Sequence, residues 1–264
     1  MINLLGIPYD QNSSFLRGSA LAPQRIRLMD IEGSANKYCE RGKEIYEGKN
    51  YKDLGDIEFN DCDAQSAYKL IKTTVTEVLT TNDKLISLGG DHSVSFPIIE
   101  AHAKLYSNLN VLHLDAHGDL YDNFDDNPYS HASPFARLME KNLLASLTQV
   151  GIRTLTTHQK EQAEKFNVKI IEMKDFNMSF INELKEPLYI SLDIDVLDPA
   201  FAPGISHYEP GGMTTRHVLD IIQNIDIPII GADIVELNPN RDINNVTAMV
   251  AYKFFKELAS KMID

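Results

Sequence analysis

The sequence predicts an α/β protein, a three-layer α/β/α sandwich with one mostly parallel central sheet. Short apolar runs alternate with helical patterns along the whole chain, as expected when a crossover helix follows each strand. Runs such as Val111-Leu112 and Ile227–Ile230 carry adjacent apolar residues, which is typical of strands covered on both faces. The sequence contains no internal repeat, low-complexity tract or linker, so we predict a single domain over residues 1–264.

The individual elements follow from apolar periodicity and from the residues at their ends. Pro23 and Pro97 suit the first turns of two helices, and Gly89-Gly90 ends a strand. The predicted elements, in chain order, are strand Ile2–Ile7, helix Ala22–Met29, helix Gln65–Leu79, strand Lys84–Leu88, helix Phe96–Tyr106, strand Asn110–Asp115, strand Leu147–Ile152, helix His158–Phe166, strand Lys169–Met173, strand Leu188–Val196, helix Thr215–Ile225, strand Ile227–Val235 and helix Asn245–Met262.

The charge balance excludes some classes of partner. With 25 basic and 38 acidic residues the net charge is −13, which argues against nucleic acid and suits metal ions, amines or guanidinium compounds. No apolar run reaches the roughly 18 residues of a membrane-spanning helix, and the first residues lack the pattern of a signal peptide. Cys39 and Cys62 have no CxxC spacing. We therefore expect a reduced, cytoplasmic protein with no membrane partner.

Four predicted strands run directly into clusters of polar residues. The clusters are Gly89–Ser93, Asp115–Asp119, Asp193–Asp195 and Glu236–Pro239. In parallel α/β folds ligands bind beyond the carboxyl ends of the strands, so we expect these clusters to form one site. Within two of the clusters the polar residues recur with a period of two, and an extended backbone would turn each set to one side.

The types of residue in these clusters favour a metal centre. The candidate ligands are four carboxylates and two imidazoles: Asp115, Asp119, Asp193, Asp195, His92 and His117. Carboxylates that point together repel one another unless a cation compensates them. The alternative is that these are solvated aspartates in caps and turns. That alternative fits the Asp193–Asp195 cluster poorly, because residues 189–192 before it have the pattern of a buried strand.

The number and chemistry of these ligands suggest which ions bind. Four carboxylates match the charge of two divalent ions better than that of one. A set rich in carboxylates and without thiolates favours manganese first, then iron or cobalt, with zinc last. We therefore predict two Mn²⁺ ions per chain. Two such ions roughly 3.5–4 Å apart would share a water and lower its pKa, which would make the site hydrolytic.

The same clusters resemble the motifs of the ureohydrolase family, the binuclear manganese enzymes that include arginase and agmatinase. The matching segments, in the order of the family, are Gly89–Ser93, Asp115–Asp119, Ser191–Gly204 and Asp233–Pro239. The resemblance implies an arginase-like three-layer fold. It also implies metal ligation by the six residues named above and a homo-oligomer, a trimer or a hexamer.

The resemblance also implies three catalytic roles. Asp119 would bind metal and hydrogen-bond the bridging hydroxide, Glu236 would receive the substrate guanidinium, and His131 would pass a proton to the departing amine. Ala132 follows His131 where the family usually has glycine. Attack of hydroxide on the guanidinium carbon would then give urea and a primary amine.

The substrate is predicted from the segment between Asp119 and His131. It lacks the Ser-x-Asn-x-His-Gly pattern with which animal and bacterial arginases hold the amino-acid head group. Tyr129–Ser133 and Gly204–Gly212 resemble agmatinases and plant-type arginases. We expect agmatine, cleaved to putrescine and urea, with arginine second and other guanidino or formimino compounds behind. The acidic loop Asp122–Asp126 could draw a dicationic substrate.

A catalytically silent scaffold or regulatory subunit is the alternative from another class, although such proteins usually lose ligands that this chain keeps. Several other polar residues have structural interpretations. We expect His113 to be a hydrogen-bonded core residue, Asp91 to orient a neighbour, and Asp198 to stabilise a turn. His207 could line the mouth of the site or hold its loop. His102, His158 and His217 fit helix surfaces or the core.

Overall fold

Eight strands form one central sheet in the computed structural model, which describes residues 1–33, 35–81 and 83–263. The strands are β1 Ile2–Ile7, β2 Tyr51–Asp56, β3 Lys84–Gly89, β4 Asn110–Leu114, β5 Ser146–Ile152, β6 Lys169–Glu172, β7 Leu188–Asp193 and β8 Ile229–Val235. Their order across the sheet is β2-β1-β3-β8-β7-β4-β5-β6, and every neighbouring pair is parallel. The predicted parallel sheet is confirmed.

Helices cover both faces of this sheet. They are α1 Ala22–Ile31, α2 Ala64–Leu79, α3 Ser95–Leu105, α4 Pro134–Glu140, α5 Thr157–Phe166, α6 Thr215–Asn224 and α7 Val246–Met262. Residues of α1, α6 and α7 pack in one apolar cluster, and residues of α2, α3, α4 and α5 pack in another. Leu85 and Ile86 are adjacent on β3 and contribute to opposite clusters, as the two faces of a strand require. The predicted three-layer arrangement is therefore confirmed.

Local signals explain where several helices begin. Asp63 caps α2, because its carboxylate accepts the amide of Ser66 at 2.7 Å. α5 and α6 begin with capping boxes, in which Thr156 pairs with Gln159 and Thr214 with His217. None of the helices in the described ranges combines the length and hydropathy that crossing a membrane demands.

Two elements of the structure are absent from the sequence prediction, and one predicted strand is too long. β2 and α4 were not predicted. The predicted strand Leu188–Val196 is wrong beyond Asp193, because residues Ile194–Val196 form a short 3-10 turn. The carboxylate of Asp193 caps this turn by accepting the amide of Asp195 at 2.7 Å. The remaining predicted elements agree with the structure to within two residues at each end.

Candidate metal centre

The four strands that carry the polar clusters are neighbours at the centre of the sheet, in the order β3-β8-β7-β4. Because all are parallel, their carboxyl ends meet at one edge, and the predicted ligands come together there. The segment after β3 passes close to the backbone near β1. A Cβ on Gly90 would stand 1.9 Å from the carbonyl oxygen of Tyr9, so only glycine fits this crossing.

A first group of ligand atoms surrounds His92. Its Nδ1 atom lies 3.1 Å from an Oδ2 atom of each of Asp115, Asp119 and Asp193. The imidazole is 1% exposed, yet Nδ1 makes no hydrogen bond in the described structure. Atoms that bind one ion at about 2.1 Å and at right angles stand about 3 Å apart. This orphaned nitrogen and its three carboxylate oxygens therefore fit a divalent cation.

A second group surrounds His117. Its Nδ1 atom lies 3.0 Å from Oδ2 of Asp195 and 3.4 Å from Oδ1 of Asp115. Asp115 thus turns one oxygen toward each imidazole, as a carboxylate shared by two ions would. All six predicted ligand residues are brought together in these two groups. His113 also lies beside the first group, with Nε2 2.7 Å from Oδ2 of Asp115.

The backbone brings these side chains together by turns rather than by extended strands. β4 ends at Leu114, and Asp119 has a left-handed φ of 49°. Asp195 belongs to the 3-10 turn after β7, and Glu236 has a φ of 65°. Extended backbone was therefore the wrong prediction for Asp115 to Asp119 and for Asp193 and Asp195, although the side chains of these residues do come together. Left-handed backbone is unfavourable for residues with a Cβ and is concentrated at functional sites.

The electrostatics of the carboxylates also favour a bound cation. Burial, reinforced by Asp195 and Asp115, raises the pKa of Asp193 well above its usual value. Burial raises the pKa of Asp195 to about 6, with His117 opposing the shift and Asp115 adding to it. For Asp115, burial is outweighed by His113, His117 and His92, so its pKa falls well below the usual value. A divalent cation would relieve the repulsion between carboxylates that helps to raise the pKa of Asp193 and of Asp195.

Glu236 and His131 form a hydrogen-bonded pair beside the two groups. Oε1 of Glu236 accepts His131 Nδ1–H at 2.7 Å and the backbone amide of His92 at 2.9 Å. Burial tends to lower the pKa of His131, but Glu236 outweighs it and raises the pKa to about 9. Against this, the amide of Ser14 lies 3.1 Å from His131 Nε2 and needs a lone pair there, which favours the neutral ring. The contact with Glu236 therefore favours the charged imidazole and the contact with Ser14 the neutral one, which suits a group that exchanges a proton.

A cavity of about 180 Å³ opens over His117, Asp119 and His131. Its outer wall is formed by Tyr121, Phe124, Thr154, Gln159 and His207. The ring of His207 lies 5.4 Å from that of His131 and 5.9 Å from that of His117, so His207 lines the mouth of the site. Among the described residues that line this cavity there is no lysine or arginine.

The structural interpretations of the remaining polar residues agree with the contacts. Asp91 accepts the backbone amides of Asn12 and Ser93, each at 3.0 Å. Asp198 accepts the amides of Ala200 and Gly211, at 2.9 and 2.7 Å, and so holds a turn. His102 is fully buried.

Ser14 and Gln149 contribute contacts that no sequence pattern indicated. Ser14 contacts His131, and the amide of Gln149 lies 3.0 Å from Nδ1 of His113. Both residues lie far along the chain from the side chain that they contact. The pairing of β4 with β5, which places His113 opposite Gln149, is the structural feature that brings the second pair together.

Comparison with known proteins identifies the relatives of this chain. It is 45% identical, over 98% of its length and 80% of the relative, to a mitochondrial arginase 1 of Arabidopsis thaliana. It is 34% identical to an agmatinase of Bacillus cereus, over 97% of this chain and 89% of that protein. The solved arginase of Medicago truncatula superposes with a TM-score of 0.92 at 40% identity, covering 99% of this chain and 87% of that one.

The model of the arginase family matches residues 1–260, nearly the whole chain. The order of the four motifs, the all-parallel sheet and the position of the polar clusters agree with that match. The expected ureohydrolase relationship is confirmed, and the chain belongs to the arginase family.

Proposed function

We propose that this chain hydrolyses the guanidino group of arginine to ornithine and urea at a centre of two Mn²⁺ ions. The greater similarity to plant arginases, 45% identity against 34% for the agmatinase, supports arginine over agmatine. The metal ligands would be His92, Asp115, Asp119 and Asp193 for one ion and His117, Asp115 and Asp195 for the other.

One observation carries the proposal. The buried Nδ1 atom of His92 makes no hydrogen bond to any residue that the structure describes, although it is 3.1 Å from three carboxylate oxygens. An uncompensated cluster of this kind costs free energy in the fold, and a bound cation removes that cost. Such donor sets suit hard to borderline ions, manganese among them.

The residues around the centre have distinct roles in this proposal. When bound, a pair of divalent ions supplies the acidity that makes a water nucleophilic near neutral pH. Oε1 of Glu236 already accepts two hydrogen bonds, so Oε2 remains to bind and orient the guanidinium cation. In this proposal Asp119 holds the attacking water and takes its proton. His131 delivers a proton to the departing amine through the cavity.

Agmatine is the second candidate, and the composition of the cavity favours it. Arginine carries a carboxylate that agmatine lacks, and no lysine or arginine among the described lining residues would pair with it. Arginine would therefore need neutral donors, such as the side chains of Thr154 and Gln159, at its head group. The similarity to arginases outweighs this observation.

The test is urea release from arginine, agmatine, guanidinobutyrate and formiminoglutamate, each with added manganese. We expect kcat/KM to be highest for arginine, and turnover to stop on chelation and in the folded variants Asp119→Asn and Asp195→Ala. A higher kcat/KM for agmatine than for arginine would identify agmatine as the preferred substrate. Urea production that survives chelation or either substitution would contradict the mechanism.

Three further features are proposals as well. They are a single domain over residues 1–264, a homo-oligomer (trimer or hexamer) and a cytoplasmic location. The Arabidopsis relative is named as a mitochondrial protein, so the location needs its own experiment. Light scattering of the purified chain and fluorescence imaging of the tagged full-length protein test the second and third features.

A further inference from the structure

Gln149 makes an unusual set of contacts behind the metal centre. It lies on β5, directly opposite His113 of β4 in the strand register, and both side chains are fully buried. Its Nε2 atom lies 2.5 Å from the carbonyl oxygen of Gly118 and 3.0 Å from Nδ1 of His113. Gly118 belongs to the segment that carries Asp115, His117 and Asp119. One amide group therefore contacts both this segment and the imidazole behind it.

The contact with Gly118 fixes the orientation of the amide. A carbonyl oxygen can only accept, so the group that faces it must be the NH₂ of Gln149. The flipped amide would set two oxygens 2.5 Å apart, and their repulsion excludes it. The same NH₂ then donates to Nδ1 of His113, which must carry a lone pair.

The orientation of the amide determines the tautomer of His113. With Nδ1 as the acceptor, the ring proton of the neutral imidazole is on Nε2. Nε2 lies 2.7 Å from Oδ2 of Asp115 and donates to it. His113 lies within reach of the ligand atoms of His92, Asp115 and Asp119, but an Nε2–H group cannot bind a cation. Gln149 and Asp115 together therefore keep His113 a hydrogen-bond donor at Nε2 rather than a competing ligand.

This arrangement has a cost. The Oε1 atom of Gln149 is buried and makes no hydrogen bond in the described structure. An unsatisfied buried acceptor destabilises the fold, so an apolar side chain would suit a residue that only fills the space between β5 and the Asp115–Asp119 segment. A role for the NH₂ group would explain why a glutamine occupies this position although its Oε1 atom is unsatisfied.

We propose that Gln149 is a positioning residue of the metal centre, which holds His113 in its Nε2–H tautomer and thereby fixes the Asp115 carboxylate between the two ion sites. Through Gly118 it also anchors the segment that carries three of the six ligands. The inference rests on the proposed function, because it concerns the carboxylate that would be shared by the two ions.

The test combines a spectroscopic readout with metal affinity. In metal-free protein labelled with ¹⁵N-histidine, the ring nitrogens of His113 report which atom carries the proton. We expect a proton on Nε2 alone in the unaltered chain and a proton on Nδ1 as well in Gln149→Glu, whose carboxylate would accept from Nδ1 while Asp115 still accepts from Nε2. Manganese affinity should fall roughly 10–100-fold in both Gln149→Glu and Gln149→Leu.

Gln162 offers a matched control. It is also a buried glutamine, its Nε2 atom donates to the carbonyl of Leu120 at 3.3 Å, and its hydrogen bonds in the described structure do not involve His113. Gln162→Leu should keep both the tautomer and the manganese affinity. Nδ1–H at His113 in the unaltered chain, or folded Gln149 variants with unchanged tautomer and affinity, would overturn the inference alone. An unaltered chain that binds no manganese would overturn the proposed function, and the inference with it.

Discussion

The Nδ1 atom of His131 lies 2.7 Å from Oε1 of Glu236, and both side chains are buried. The same oxygen also accepts the backbone amide of His92, so the pair is tied to the turn that carries a predicted metal ligand. The group proposed to bind the guanidinium and the group proposed to donate the proton are therefore held together before substrate arrives. This pre-organisation is the basis of the first two predictions.

Replacing the Glu236 carboxylate should weaken substrate binding without loss of metal. In Glu236→Gln a neutral amide faces the guanidinium, and a charge-assisted hydrogen bond worth about 1.5–3 kcal/mol is lost. We expect kcat/KM for arginine to fall by roughly 10–100-fold, while manganese per chain stays at the unaltered value. Steady-state kinetics with metal analysis measures both, and an unchanged kcat/KM would exclude Glu236 as the receptor.

Replacing His131 should affect turnover more than binding. His131→Asn removes the proposed acid, and general acid catalysis contributes about 10²–10⁴-fold, so kcat should fall with little change in KM. Glu236 raises the pKa of His131 to about 9, against the effect of burial, so the activity that depends on the imidazolium should fall as the pH rises through about 9. In Glu236→Gln that alkaline limb should move to lower pH. An alkaline limb that stays at the same pH in Glu236→Gln would show that it does not arise from His131.

Asp195 should hold only one of the two ions. It lies 3.0 Å from His117 Nδ1 and is outside the group around His92. Asp195→Ala should therefore retain one manganese per chain after desalting, where the unaltered chain retains two. Asp198→Asn is the matched control and should keep both ions, because among the described residues Asp198 accepts the backbone amides of a turn and belongs to neither ligand group. Retention of two ions by Asp195→Ala would remove Asp195 from the ligand set.

His102 should make the stability depend on pH independently of the metal centre. Burial lowers its pKa from 6.5 to about 4. The unfolded chain therefore takes up the proton first as the pH falls, and the stability present above pH 6.5 is lost as the pH falls toward 4. Between pH 8 and pH 5 this linkage amounts to about 2 kcal/mol.

Urea unfolding of metal-free protein at these two pH values measures the effect. His102→Leu should lose about 2 kcal/mol less than the unaltered chain over the same interval, because the other titrating groups are common to both. Equal losses in the two proteins would show that the folded chain accommodates a charged His102.

The sequence predicted most elements because their apolar patterns agree with their burial. β2 was missed because Tyr51–Asp56 is an edge strand with one buried residue, and its sequence has no apolar run. α4 has only seven residues, Pro134–Glu140, and directly follows Tyr129–Ser133, the segment that contains His131. The extension of β7 to Val196 came from Ile194 and Val196, whose alternation with Asp195 imitates a strand although the backbone turns.

The candidate site was predictable where the ligands follow strands, and less so elsewhere. His92, Asp115 and Asp193 lie at or just beyond strand ends, and the parallel topology brings them together. Gln149 and Ser14 carry no motif, and their contacts depend on strand register and loop course. Those features follow from tertiary packing and are not encoded in local residue patterns.

Anomalous diffraction from crystals grown with manganese would locate the ions themselves. We predict two manganese peaks per chain, roughly 3.5–4 Å apart, with Asp115 providing one carboxylate oxygen to each. His92 should bind one ion and His117 the other. A single peak, no peak, or peaks that do not involve Asp115 would contradict this prediction.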